Sequence, residues 1–381
     1  MNGFDFNYGP RLHCSVGGCA RLPDLVGEGA VLLVTDAGVR GLGLCDAAMA
    51  ALEGAGRPVT VFDAVEADPS AATVLAAVEA GRAAGAQAVV GLGGGSPMDV
   101  AKLAAYLLGS GDALEAIYGV DQARGRRLPL VLVPTTAGTG SEATPISIVT
   151  VGGAEKKGVV SAPLYADWAV LDPELTIGLP PHVTAATGID AMVHAIEAYT
   201  SARLKNPISD AMARQALTLL AANVRTVVRD GADRPARAAM LLGSHLAGVA
   251  FANAPVAGVH ALAYPLGGHF HVPHGLSNAL MLPHVLGHNM ASTLTLYADL
   301  GVLIDPALSR LGVQGQAQGL VEALRGMISD CGLPDRLGAV GVTADHLDLL
   351  ASEAMKQQRL LMNNPVPILE TDARRLYEAA L

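Results

Sequence analysis

The sequence predicts an α/β amino-terminal domain built on a doubly wound parallel sheet, followed by an all-α domain. Three observations carry that reading. Short β-branched runs alternate with Ala-rich helical stretches through the first part of the 381 residues. From Pro180-Pro181 onward the pattern becomes long Ala/Leu/Met-rich segments of helical period, with no convincing strand. Residues 238–298 then contain no Asp, Glu, Lys or Arg, yet hold seven of the 11 histidines. Strict β/α alternation implies parallel strands with ligands beyond their carboxyl ends. Histidines in an apolar helical layer need partners for their ring nitrogens.

Taken in order, AVLLVT (Ala30–Thr35) reads as a strand, Asp46–Glu53 as a helix and PVTVF (Pro58–Phe62) as a strand. Ala71–Ala83 reads as a helix, AVVG (Ala88–Gly91) as a strand, Pro97–Leu108 as a helix and LVLV (Leu130–Val133) as a strand. Ile146–Val151, Gly158–Val160 and Ala169–Leu171 look like extra short strands, the first two joined by the hairpin turn GGAEKK. Proline starts helices well and continues them badly, so Pro180-Pro181 marks the switch of class. The domains drawn from this are residues 1–178 and 179–381.

Composition excludes several classes. Charged residues are 16% of the chain, against about 25% in an average soluble domain, and mean hydropathy is +0.38. Net charge −10 repels phosphate backbones and anionic lipid and leaves no basic block to bind them, so no nucleic-acid partner is expected. Leu246–Tyr264 has the length of a spanning helix. Asn253, Pro255 and His260 lie inside it, however, and Pro265, Pro273 and Pro283 follow, so a buried helical layer is the better reading and no membrane is expected. Cys14, Cys19, Cys45 and Cys331 form no CxxC, and the N-terminus MNGFDFNYGPRLHCS lacks a basic-then-apolar leader; a reducing cytoplasm is the expectation.

AVVG runs into Gly93-Gly94-Gly95-Ser96 and then Pro97-Met98-Asp99. Glycines let a backbone approach a diphosphate, and Pro97 at the first helical position would leave free amides aimed at the anion. A tight βα turn explains the same residues. A second loop, Pro134-Thr135-Thr136-Ala137-Gly138-Thr139-Gly140-Ser141-Glu142, follows LVLV and favours the cofactor reading, since two such loops end strands of one sheet. Asp36 and Asp63, each just after a strand, are both candidates for the ribose hydroxyls.

Asp190 and His194 stand four apart in a helical run, close enough to share an ion. His260 and His274 in the charge-free stretch can join them, giving one carboxylate and three imidazoles suited to Fe2+ or Zn2+. A dinucleotide cradle together with such a Lewis acid points to hydride transfer between an alcohol and a nicotinamide.

GGGSPMDVAK (Gly93–Lys102), PTTAGTGSEAT (Pro134–Thr144), DPEL (Asp172–Leu175), GIDAMVHAIEAY (Gly188–Tyr199) and HALAYPLGGHFHVPHGLSNALMLPHV (His260–Val285) resemble the iron-containing, group III alcohol dehydrogenases over essentially the whole chain. The resemblance implies a Rossmann-like NAD(P)-binding domain, a helical metal-binding domain and a cleft between them. It also implies a small alcohol or aldehyde as substrate and a homodimer or higher homo-oligomer. Metal ligands fall on Asp190, His194, His260 and His274. Cofactor contacts fall on Gly93, Gly94, Gly95, Ser96 and Asp99, on Thr135, Thr136, Thr139 and Thr144, and on Lys156 or, after a one-residue shift, Lys157. Asp36 looks like the ribose contact, which favours NAD over NADP. A family histidine proposed to relay the alcohol proton is Tyr264 here, so the relay falls to water, Tyr264, His269 or His271. Phe251 resembles a pocket-lining position, and Asn364-Pro365-Val366 lacks the arginine the family often has. Relatives with other chemistries include glycerol dehydrogenase, maleylacetate reductase, hydroxyacid-oxoacid transhydrogenase and the lyase dehydroquinate synthase; the intact Asp and three His argue against the metal-free reductase and the lyase.

Overall fold

The structure is a computed structural model that describes residues 3–152 and 155–381. Gly153 and Ala154, in the turn expected between two strands, lie outside the described residues. The chain divides into two compact units, Tyr8–Ile177 and Gly178–Leu381, the segment ending at Asn7 belonging to the second.

The first unit alternates as follows: β1 Arg11–Cys14, α1 Leu22–Val26, β2 Val31–Val34, α2 Ala37–Gly41, α3 Asp46–Gly54, β3 Val59–Phe62, α4 Ala71–Ala83, β4 Ala88–Gly93, α5 Gly95–Ser110, β5 Gly119–Val120, β6 Leu130–Pro134, β7 Ile146–Val151, β8 Glu155–Val160 and β9 Trp168–Leu171. Six strands form one parallel sheet in the order β1-β9-β6-β4-β2-β3. The runs VLLV, AVVGLG and LVLVP are buried throughout, as parallel strands covered on both faces must be. Leu32 and Val34 pack on one face with α4 and α5. Val31 and Leu33, pointing the other way, pack with Leu22, Val26, Ala48 and Leu52 of α1 and α3. The chain passes from β2 to β3 on one side and then crosses to β4 on the other, so the strand order reverses between β2 and β4. In such sheets ligands bind at that switch point.

Two expectations change. β9 is not an extra strand: it joins the main sheet between β1 and β6, while β7, β8 and β5 form a separate three-stranded sheet. β1 was not foreseen, because RLHC is largely exposed and its polar–apolar alternation spans only four residues. It runs along the outer side of β9, pairing Arg11 with Trp168 and Cys14 with Leu171.

The second unit is helical: α6 Pro181–Thr200, α7 Pro207–Arg229, α8 Arg234–Asn253, α9 Gly258–Phe270, α10 His274–Ile304, α11 Val313–Asp330, α12 Leu347–Met355, α13 Gln358–Leu361 and α14 Glu370–Ala379. α6 is buried on nearly every side and packs against α7, α8 and α10, which makes it the unit's central helix. Asn7 is tied to this unit, its N–H donating to Asn253 Oδ1 at 2.7 Å and its carbonyl accepting from Asn253 Nδ2 at 2.8 Å. Residues 238–298 supply most of α8, all of α9 and most of α10, and their apolar side chains fill the interhelical core. Among the described residues no single helix is long and apolar enough to cross a membrane; α8 and α9 meet the test only as a pair, bent by 107° at their junction.

Candidate functional site

In the helical unit the four residues singled out from the sequence converge. Asp190 and His194 sit one turn apart on α6, His260 lies in the first turn of α9, and His274 begins α10. One ligand atom from each lies within 4.8 Å of all the others. His260 Nε2 is 4.0 Å and His274 Nε2 3.7 Å from Asp190 Oδ1. The His194 ring stacks between Phe251, at 4.4 Å, and His260, at 4.7 Å between centroids. Asp190, His194 and His260 are buried and His274 is exposed. Burial alone would push the Asp190 carboxyl up, but His194, His274 and His260 together with the Asn278 amide outweigh it and hold the group below its ordinary range.

Close helix packing makes this convergence possible. A Cβ on Gly275 would stand 2.3 Å from the carbonyl oxygen of Ala186, so only glycine lets the start of α10 settle on α6 and bring His274 to Asp190.

Two residues that sequence reasoning left unassigned complete the setting. Glu197, buried on α6, accepts from Val259 N at 2.6 Å and from Ala257 N at 3.0 Å, and its Oε2 lies 2.6 Å from His260 Nδ1. Asn278 donates to Asp190 Oδ1 at 2.6 Å and lies 3.2 Å from His274 Nε2. Helical spacing was the available signal: Asp190, His194 and Glu197 follow i, i+4, i+7, and His274 and Asn278 follow i, i+4. His260 Nε2, on the ring edge away from Glu197, is buried with no hydrogen-bond partner. A buried ring nitrogen left without a partner is costly in itself. A divalent cation held by three imidazoles and one carboxylate satisfies it, so the residues fit a metal.

The proton-relay candidates separate. Tyr264 is one turn beyond His260 on α9, and its ring lies 5.8 Å from His274. His269 is nine residues beyond His260, about 180° around the helix, and its Nε2 is 3.9 Å from Glu353 Oε2. His271 is exposed and caps α9 in a left-handed conformation, φ 54°. The structure therefore brings Tyr264 to the cluster and does not bring His269 or His271.

The α/β unit gathers a second group at the carboxyl ends of β2, β4 and β6. Gly93 has φ 153°, a conformation open to glycine, and a Cβ there would meet Pro97 at 2.7 Å. Gly94 caps α5, which starts at Gly95; Pro97 is thus the third helical residue rather than the first. Its missing amide still costs no bond, because first-turn amides have no helical partner, and Gly95 and Ser96 keep theirs at the helix start. Thr135 N donates to Gly93 O at 2.9 Å, laying the second loop along the first. Thr139 backs Gly95, and Thr136 stands beside Gly94 with its buried hydroxyl unpartnered. Asp36 uses Oδ1 to cap α2 through Val39 N at 2.8 Å, while its Oδ2 faces Gly93. Asp63, by contrast, is exposed at the end of the edge strand β3.

Asp99 and Thr144 are occupied differently. The carboxylate of Asp99 accepts from Ser141 Oγ at 2.6 Å and Ile148 N at 3.0 Å. Lys102, fully buried, donates to Ser141 Oγ and Ile146 O at 2.7 Å each and reaches Asp99 Oδ1 and Thr144 Oγ1 at 3.4 Å. Burial pushes this ammonium's pKa down, against the opposing pull of Asp99. These residues tie the second loop to α5 from beneath. Lys156 pairs with Asp68 Oδ1 at 2.5 Å, and Lys157 lies over the Tyr118 ring at 5.5 Å.

Comparison with known proteins follows the same division. The family model "Iron-containing alcohol dehydrogenase" matches residues 10–173, and "Fe-containing alcohol dehydrogenase family, C-terminal" matches residues 184–381. The long-chain-alcohol dehydrogenase 1 of Geobacillus thermodenitrificans is 42% identical over 377 residues, covering 97% of this chain and 95% of its own. The sulfoacetaldehyde reductase of Bilophila wadsworthia is 36% identical over 351 residues, 91% and 90% of the two chains. A solved 1,3-propanediol oxidoreductase shares the fold at a TM-score of 0.96 over 100% of both chains, with 33% identity.

Proposed function

This chain belongs to the iron-containing alcohol dehydrogenase family, and from that premise we propose an NAD-dependent alcohol dehydrogenase or aldehyde reductase that requires Fe2+ and acts on uncharged alcohols. The observation that carries the reading is the cluster of Asp190, His194, His260 and His274, with the buried, unpartnered His260 Nε2 turned into it. These four residues hold the ion. When bound, it supplies Lewis acidity that lowers the pKa of an alcohol hydroxyl.

The chain's own residues supply the rest. Gly94, Gly95 and Ser96 receive the pyrophosphate, with the Thr136 hydroxyl as a waiting polar partner. Asp36 receives the adenosine ribose hydroxyls, and its carboxylate would repel the 2′-phosphate of NADP, which supports NAD. Tyr264 relays the proton released from the alcohol, its phenol oxygen accepting that proton as its own hydroxyl proton passes to solvent, a role supported by its place one turn from His260 and beside His274. Residues 238–298 offer no Lys or Arg to neutralise an anionic substrate. That favours neutral alcohols, as the names of the long-chain-alcohol dehydrogenase and the propanediol oxidoreductase suggest, over a sulfonate. Free Cys14, Cys19, Cys45 and Cys331 support a reducing, cytoplasmic setting.

Anaerobic metal analysis with an alcohol and aldehyde panel, followed by NADH absorbance, tests this. Chelation should abolish turnover, Fe2+ should restore it, and NAD should be preferred. Full turnover in a metal-free preparation would sink the reading.

A further inference from the structure

Glu197 is a buried carboxylate for which the reaction has no direct use. It does not belong to the four-residue cluster, yet two backbone N–H groups donate to it and a ring nitrogen lies against it. Its Oε1 accepts from Val259 N at 2.6 Å, and its Oε2 accepts from Ala257 N at 3.0 Å and lies 2.6 Å from His260 Nδ1. The two amides lie at the start of α9, so one side chain from α6 fixes both the origin of α9 and the edge of the ring it carries.

We infer that Glu197 is a positioning residue that sets His260 in the Nδ1–H tautomer and so prepares its Nε2 as a metal ligand, an inference that rests on the metal reading above. A carboxylate accepting from two amides has no proton of its own to give. The third short contact therefore requires the proton to sit on Nδ1, which leaves the lone pair on Nε2. Nε2 is the buried atom with no partner, 4.0 Å from Asp190 Oδ1. Carboxylate–histidine–metal chains of this kind fix ring orientation and strengthen the donor nitrogen. Stacking of His260 on His194 at 4.7 Å passes the same constraint to a second ligand.

Glutamine cannot substitute. Its single oxygen could serve His260 only by turning the NH2 group onto the N–H of Val259. In the opposite orientation the NH2 donates to Nδ1 and drives the proton to Nε2, which blocks the ligand. Either outcome loosens the centre without emptying space.

Co2+ titration of the full chain, read by calorimetry and by the visible spectrum of the bound ion, tests the inference. Glu197→Gln should weaken Co2+ binding about 10- to 100-fold and alter the spectrum, with circular dichroism and NAD binding unchanged. Wild-type protein that binds no Co2+ would refute the metal reading itself. Wild-type binding with an unchanged affinity and spectrum in Glu197→Gln would overturn only the role of Glu197. Should that variant fail to fold, long-range nitrogen-15 spectra of histidine-labelled, metal-free wild type decide the matter: Nδ1–H at His260 is expected, and Nε2–H would refute the inference.

Discussion

A side chain at Gly94 would project beside the unpartnered hydroxyl of Thr136, where its first carbon would sit 3.7 Å from Thr136 Cγ2. The backbone there has φ −75°, open to any residue, so glycine is needed for the space it leaves rather than for its conformation. Gly94→Val should therefore leave melting temperature and metal content unchanged while raising KM for NAD about tenfold or more, each tenfold being about 1.4 kcal/mol. An unchanged KM would remove Gly94 from the cofactor site. Tyr264 allows a second test at this scale. Tyr264→Phe keeps the ring beside His274 and deletes only the phenol oxygen, so metal content should hold while kcat falls about 100-fold and loses part of its pH dependence. A variant with the wild-type pH profile would hand the proton to water. The clustering of Asp190, His194, His260 and His274 was readable from the sequence because two of them share a helix face at four-residue spacing and the other two are histidines in an uncharged stretch; the glycine turn was readable from residue type alone. Glu197 and Asn278 stood in the same motifs unassigned, since spacing shows that residues share a helix face but not which hydrogen bond each makes.

Between elements, the decisive contact is α10 on α6. Gly275 meets the Ala186 carbonyl so closely that even a methyl group must separate the helices. Gly275→Ala should cost roughly 1–3 kcal/mol in urea unfolding by overpacking. It should also weaken metal binding, because the displaced residue follows His274 directly; calorimetric metal titration beside the unfolding curve reads both effects. Normal metal affinity in a destabilised variant would show that the approach of the helices serves packing alone. Most elements were legible for local reasons: β2, β4 and β6 are apolar runs bounded by Thr35, Gly93 and Pro134, and the start of α6 is marked by paired prolines. β1 and the placement of β9 were not. Their pairing joins Arg11 to Trp168 across most of the unit's sequence, and the alternation of a largely exposed four-residue edge strand is too short to announce it. Pro97 misled by two residues, because proline is tolerated throughout the first turn and marks a helix start only approximately.

Across the molecule, the charge-free run of residues 238–298 belongs to helices whose apolar faces pack against one another, and its histidines divide by environment. His260 and His274 face Asp190, whereas His288 Nε2 lies 3.2 Å from the Pro367 carbonyl. His284, half-buried on α10, is held down to about 4 by burial and then by Arg325 of α11. That assignment fixes a pH dependence. The unfolded chain, with His284 near its ordinary 6.5, binds the proton more tightly than the folded chain does. Stability from this residue is therefore fully present above 6.5 and is lost as pH falls from 6.5 toward about 4. With the side chain partly exposed, solvent screening reduces the effect to about 2 kcal/mol. His284→Gln removes the titration while keeping a neutral side chain of similar length. Urea unfolding of the metal-free protein between pH 4 and 7 should show a shallower acid slope for the variant than for wild type. Parallel slopes would mean that His284 charges in the folded protein as readily as in water, and that the α10–α11 layer around it is open to solvent.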